Sequence, residues 1–166
     1  MNLLRIGGGA LILLCLLILP AAADVLDDLE AGFIAHRRGD YQKAFDYYTK
    51  VVRTDKLSQT ERAVAFLLRG QSSSAKGDYD QAVQDFTMAV NLKMNYAMAY
   101  YFRGLAYEAQ GQMSRAYEDV KKAAENDPGR AMFQSKLTQL KNKMEPAIPD
   151  RPERPEGTET GAESTE

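Results

Sequence analysis

The sequence predicts an all-α fold of stacked helical hairpins, and three observations carry that expectation. Two stretches repeat 34 residues apart: Arg69-Gly70 recurs as Arg103-Gly104, Gly77 as Gly111, Ala82 as Ala116, Asp85 as Asp119 and Ala89 as Ala123. A looser copy upstream carries Gly32, Gly39, Tyr41 and Ala44. Between these marks, apolar runs at helical spacing alternate with Gly-Asp or Asp-Pro breaks. A period of this length, with glycine and alanine at fixed offsets, belongs to hairpins that bury their apolar faces only by stacking.

The elements follow in order. Leu26 to Arg38 reads as a helix with Asp24 as its cap, ended by Gly39-Asp40, and Tyr41 to Arg53 as the second. Ser58-Gln59-Thr60-Glu61 is a capping box, so a third helix starts near Gln59 and runs to Lys76. Tyr79 to Lys93 is the fourth, and Asn95 caps a fifth over Tyr96 to Gln110. Met113 to Asn126 is the sixth. Asp127-Pro128 closes it and opens a last helix from about Gly129 to Met144, because proline suits the first turn of a helix.

The offsets have a packing reason. Gly32, Gly70 and Gly104 let the second helix of each hairpin approach closely, and Ala44, Ala82 and Ala116 do the same from the other side. Tyr48, Phe86 and Val120 fill the space beyond. Gly39, Gly77 and Gly111 supply the left-handed backbone of the turns. Arg69 with Asp85, and Arg103 with Asp119, read as structural pairs, since a guanidinium fork matches a carboxylate.

These residues resemble the tetratricopeptide repeat. The units are about 25–58, 63–96 and 97–130, with a capping helix at about 129–144. The first unit is the weakest, lacking an arginine before Gly32, and four extra residues, Gln59 to Arg62, precede the second. Met94 stands where the second unit would end in proline. The resemblance implies a right-handed superhelical stack of three hairpins plus the capping helix, with the first helix of each unit lining a concave face. It places Leu26, Leu29, Glu30, Phe33 and His36 there, then Val64, Leu67, Leu68, Gln71 and Ser74, then Met98, Tyr101, Phe102, Leu105 and Glu108. One subfamily grips a chaperone's C-terminal carboxylate with Lys, Asn and Arg on this face. The corresponding positions here hold Leu29, Phe33, Leu68, Met98 and Phe102, none of which donates a side-chain hydrogen bond. The expectation is therefore a groove for an apolar peptide or amphipathic helix, with Leu29, Phe33, Leu68, Met98, Tyr101, Phe102 and Leu105 as partner-binding residues. A homodimer through the groove is the alternative.

The flanks differ from the repeats. One basic residue, Arg5, precedes the apolar run Ala10 to Leu19, and Pro20-Ala21-Ala22-Ala23 follows. This three-part pattern predicts a signal peptide over 1–23, cleaved after Ala23. An uncleaved anchor is the rival, but Ile6 to Ala23 gives only 18 uncharged residues, where a spanning helix needs roughly 20. The single cysteine, Cys15, lies inside this segment after Leu14, which argues against lipidation and leaves the mature chain without a thiol. Residues 24–144 carry 18 basic and 16 acidic groups, while 145–166 carry 2 and 7. The near-neutral repeat region shows no basic stripe for nucleic acid. The acidic, proline-rich tail lacks the apolar residues to fold.

The chemistry of catalysis is not legible. His36 is the only histidine, and beside Arg37-Arg38 it reads as a cation favoured at the negative end of a helix dipole. It has neither the partners of a hydrolytic triad nor a second metal ligand. No cofactor or metal is expected, and no membrane span after cleavage. The reading is a non-enzymatic protein-binding module of the periplasm or cell envelope, similar to small exported repeat proteins of Gram-negative bacteria. A secreted eukaryotic protein is the other possibility, and a regulatory subunit of an envelope enzyme is a lesser one.

Overall fold

A computed structural model describes residues 24–93 and 96–145. The expected leader, most of the expected tail, and Met94 and Asn95 lie outside the described residues. Seven helices form: α1 (24–37), α2 (Tyr41–Arg53), α3 (Gln59–Ala75), α4 (Tyr79–Leu92), α5 (Ala97–Ala109), α6 (Met113–Asn126) and α7 (Ala131–Met144). There is no strand among the described residues. The helices from α2 onward pack mainly on their sequence neighbours, and Gly32 and Ala35 of α1 meet Tyr48 of α2, giving the hairpins α1–α2, α3–α4 and α5–α6 followed by α7.

The three hairpin turns are built alike. Gly39, Gly77 and Gly111 have φ of 82°, 83° and 75°. After each glycine the next amide reaches back to close the helix end: Asp40 N–H to Ala35 O, Asp78 N–H to Ser73 O, and Gln112 N–H to Tyr107 O, at 2.8–2.9 Å. A side chain would be strained in this backbone region, so glycine is needed here.

Inside each hairpin the mid-helix glycine does a different job. A methyl group on Gly32 would meet Tyr48 at 2.7 Å, and one on Gly104 would meet Val120 at 2.8 Å. The large residues are thus in direct contact with the glycines. Ala44, Ala82 and Ala116 are fully buried alongside.

The four extra residues before the second unit lengthen a helix. α3 has 17 residues and α5 has 13, a difference of about one turn. The Ser58–Glu61 capping box closes in both directions, with Glu61 N–H donating to Ser58 Oγ at 3.2 Å and Ser58 N–H to Glu61 Oε2 at 2.8 Å. The side-chain bond from Ser58, then the backbone bond, hold the Glu61 carboxyl below its usual range. Arg62, in the same extra turn, donates from Nη1 to Val52 O and from Nη2 to Thr54 O, both at 2.8 Å. It ties the start of α3 to the orphan carbonyls at the end of α2.

Three boundary expectations need correction. Pro128 does not sit in the first turn of the last helix: residues 127–130 form a turn closed by Arg130 N–H to Asp127 O, and α7 begins at Ala131. The Arg130 side chain reinforces it through Asp127 Oδ2 at 2.8 Å. Asp24, expected as a cap, already lies within α1. The residue at the cap of α5 is Tyr96, without a side-chain capping bond.

Candidate peptide-binding groove

Two hollows border α3, one between α1, α3 and α5 and the other between α1, the end of α2 and the start of α3. The central one, about 430 Å³, is walled by His36, Gln71, Ser74, Ala75, Tyr79, Phe102, Leu105 and Ala106. No residue on that wall is an acid, a lysine or an arginine. The second, about 420 Å³, opens at the N-terminal end of the stack. Val25, Leu26, Leu29, Val51, Leu57, Val64 and Ala65 line it, with Lys56, Thr60 and Glu61 also on its wall.

The expected partner-binding residues divide among distinct surroundings. Phe102 and Leu105 reach the central hollow, and Phe102 stacks on buried Phe86 with ring centres 5.9 Å apart. Leu29 lines the terminal cleft. Phe33 is exposed. Leu68 packs against the cluster of Ala35, Ala44 and Tyr48. Met98 and Tyr101 pack beside buried Phe133 of α7.

Tyr101 requires correction as an open groove residue. Its ring centre is 4.9 Å from that of Phe133, and Leu137 packs in the same cluster. Burial, then the nearby Glu108 carboxylate, push its phenol above the usual value. The capping helix takes up the surface that an open third repeat would offer. Glu108, also expected on the concave face, is held by two lysines of α7, from Lys136 Nζ at 2.5 Å and Lys143 Nζ at 2.6 Å. Burial, the largest single influence, opposes its charge, but the hydrogen bonds and positive charges of the two lysines together keep its carboxyl below the usual range. Leu67, expected to face inward, is buried in the core with Phe86 and Ala99.

His36 is corrected too. It is half-buried at the edge of the central hollow, with Nδ1 3.1 Å from Ser72 Oγ and its ring edge-on to Tyr41 at 5.1 Å. Ser72 Oγ spends its proton on Leu68 O at 3.1 Å. Its oxygen is then left to accept, so Nδ1 carries the imidazole proton. Burial lowers the His36 pKa below its ordinary 6.5. Burial therefore works against the imidazolium form, contrary to the dipole-paired cation expected from its place near a helix end.

The arginine–carboxylate pairs form as forks. Arg69 donates from Nε to Asp85 Oδ2 at 2.9 Å and from Nη2 to Oδ1 at 2.6 Å. Arg103 donates from Nε to Asp119 Oδ2 at 2.7 Å and from Nη2 to Oδ1 at 2.9 Å. The Asp119 hydrogen bond raises the Arg103 pKa further. Each arginine also reaches the preceding hairpin, Arg69 Nη1 to Thr49 Oγ1 at 3.4 Å and Arg103 Nη1 to Thr87 Oγ1 at 3.0 Å. One side chain thereby joins three helices.

The terminal cleft was missed by sequence reasoning. Val25, Val51, Leu57 and Thr60 were not marked as groove residues, yet all four wall it. The available signal was the four-residue insertion. Its extra turn carries Thr60 and Glu61 to the cleft, and Arg62 within it anchors the adjoining loop.

Stacked hairpins with a glycine–aromatic contact and a cross-hairpin arginine fork define a helical-repeat binding scaffold. Family models described as TPR repeat and tetratricopeptide repeat match residues 70–111 and 97–130. Residues 70–130 therefore carry tetratricopeptide repeats, and the stack as a whole has the fold of that family. Protein unc-45 homolog B of Danio rerio is 30% identical over 113 residues, which is 67% of this chain and 12% of that protein. The chain spans only 11–31% of the curated relatives it matches. The Sgt2 TPR domain of Aspergillus fumigatus superposes with a TM-score of 0.68 at 23% identity, covering 86% of this chain and 88% of that one. The second TPR domain of human RPAP3, in complex with an HSP70 peptide, gives 0.65 at 22% identity, covering 72% and 97%.

Proposed function

We propose that this chain is an exported, non-catalytic adaptor of the cell envelope whose concave face holds an apolar peptide or amphipathic helix of a protein partner. The observation that carries this reading is the wall of the central hollow, where Phe102, Leu105 and Tyr79 meet His36 and no acid, lysine or arginine. An acidic chaperone tail of the kind bound by RPAP3 would find no cation there. An apolar side chain would gain burial without stripping water from a charge. The terminal cleft adds a second anchor. Val64 and Gln71 border the two hollows and lie two turns apart on α3, or about 10 Å at 1.5 Å per residue. A bound helix with apolar residues at i and i+7 has the same spacing.

A photoreactive residue at Leu105 tests the site in intact cells. A discrete protein adduct that is lost with Phe102→Glu is expected. An adduct of equal yield in that variant would contradict binding at the central hollow. Export rests on the charge and apolar pattern of residues 1–23. Mass analysis of the protein recovered from cells should give a chain beginning at Asp24, and one beginning at Met1 would contradict cleavage.

A further inference from the structure

The two ends of the stack are finished differently. At the C-terminal end α7 buries Phe133 and Leu140 and turns Gln134, Ser135, Thr138 and Gln139 to solvent. At the N-terminal end α1 leaves Leu26, Phe33 and Ile34 exposed at 65%, 54% and 40%. Helical repeats need a polar outer face on their terminal element to remain soluble. Of its large apolar residues α7 leaves only Met132 and Met144, near its two ends, exposed among such polar residues, whereas on α1 Leu26, Phe33 and Ile34 stand exposed on one side beside Glu30 and Arg37.

The exposed side of α1 also has a charge order. Leu26, Glu30, Phe33, Ile34 and Arg37 fall at i, i+4, i+7, i+8 and i+11, one stripe of the helix. The Arg37 guanidinium lies 5.8 Å from the Phe33 ring centre, which keeps it on that stripe. Acids occupy the first half of the helix (Asp24, Asp27, Asp28, Glu30), and Arg37 and Arg38 come at its end. Asp28 is turned away to Lys50 at 3.4 Å.

We propose that α1 docks antiparallel on α1 of a second copy of this chain, about a twofold axis passing between Phe33 and Ile34. In that register Phe33 packs on Ile34 of the partner subunit, and Glu30 faces Arg37 of the partner subunit, each contact made twice by symmetry. The two helix dipoles also oppose favourably. A parallel pairing would set Glu30 against Glu30 of the partner subunit and Arg37 against Arg37 of the partner subunit, so the charge order selects the antiparallel arrangement. α1 is short, about 21 Å at 1.5 Å per residue, so the contact is modest and the dimer depends on concentration. Phe102 and Leu105 of the central hollow take no part in this contact, although Leu26 of the stripe also lines the terminal cleft.

Light scattering over a concentration series, on the protein as recovered from cells, tests it. The mass should rise from one chain to two. Ile34→Glu should hold it at one chain with unchanged helical circular dichroism, as expected for a change at an exposed position. Glu30→Arg and Arg37→Glu should each weaken the dimer by about tenfold or more, and both together should restore it. Phe102→Glu should leave it intact. A single-chain mass at every concentration would overturn the proposal. So would a dimer indifferent to Ile34→Glu, a double reversal no better than the single ones, or a dimer lost with Phe102→Glu.

Discussion

Gly70 and the Phe86 ring are in contact so close that a methyl group on the glycine would fall 2.7 Å from Cε1. Phe86 is fully buried, so the ring has no solvent side to move into. Alanine at position 70 would gain up to about 1 kcal/mol of helix propensity. Forcing the two helices apart costs roughly 1–3 kcal/mol, so the steric term wins. Gly70→Ala is therefore expected to lower the melting temperature, and calorimetry of the variant checks it. Phe86→Leu in the same chain should recover part of the loss relative to Phe86→Leu alone.

Asp85 is 1% exposed and accepts from Arg69 twice and from Gln81 Nε2 at 3.2 Å. Removing the carboxylate strands a largely buried guanidinium. Asp85→Ala should cost about 3 kcal/mol, measured by urea unfolding. Arg69→Met with Asp85→Leu should cost clearly less, because no uncompensated charge remains. Partner binding should survive in whatever fraction of Asp85→Ala stays folded, since the pair lines neither hollow.

Ser73 gives the opposite sign. Its hydroxyl is fully buried and has no hydrogen-bond partner among the described residues. Ser73→Ala removes an unsatisfied group and improves helix propensity, with an expected gain of about 1 kcal/mol. A loss of stability in urea unfolding would contradict the geometry around Oγ.

Stability should fall with acidity in two windows. The folded pKa of His36 is lowered below its unfolded 6.5. The unfolded chain therefore takes up this proton first, and the contribution present above 6.5 is lost as pH falls through the folded value. Glu61 and Glu108 are also lowered, from 4.5. Their contributions hold above 4.5 and are lost as pH falls through their own folded values. Melting temperatures from pH 8 to 3 should show both declines, and His36→Gln should flatten only the upper one.

Much of the fold was legible because its determinants are local and repeated. Gly39, Gly77 and Gly111 mark the turns, and Arg69 and Arg103 stand 16 residues before Asp85 and Asp119, as the forks require. The site was less legible because its walls depend on long-range packing. Tyr101 has a groove position in its own repeat, but Phe133 lies 32 residues downstream and covers it. His36 stands beside two arginines in sequence, yet in space it meets Ser72 of the next hairpin. The terminal cleft depends on the loop tied by Arg62, and a four-residue insertion does not announce how its backbone will run.

On the proposed reading, the concave face selects apolar side chains over a terminal carboxylate. Selection from a library of random displayed peptides, with free C-termini included, tests it most directly. An enriched motif of aliphatic or aromatic residues, bound with little salt dependence and lost with Phe102→Glu, is expected. Enrichment of acidic C-terminal sequences, with affinity that falls steeply as salt is added, would contradict it.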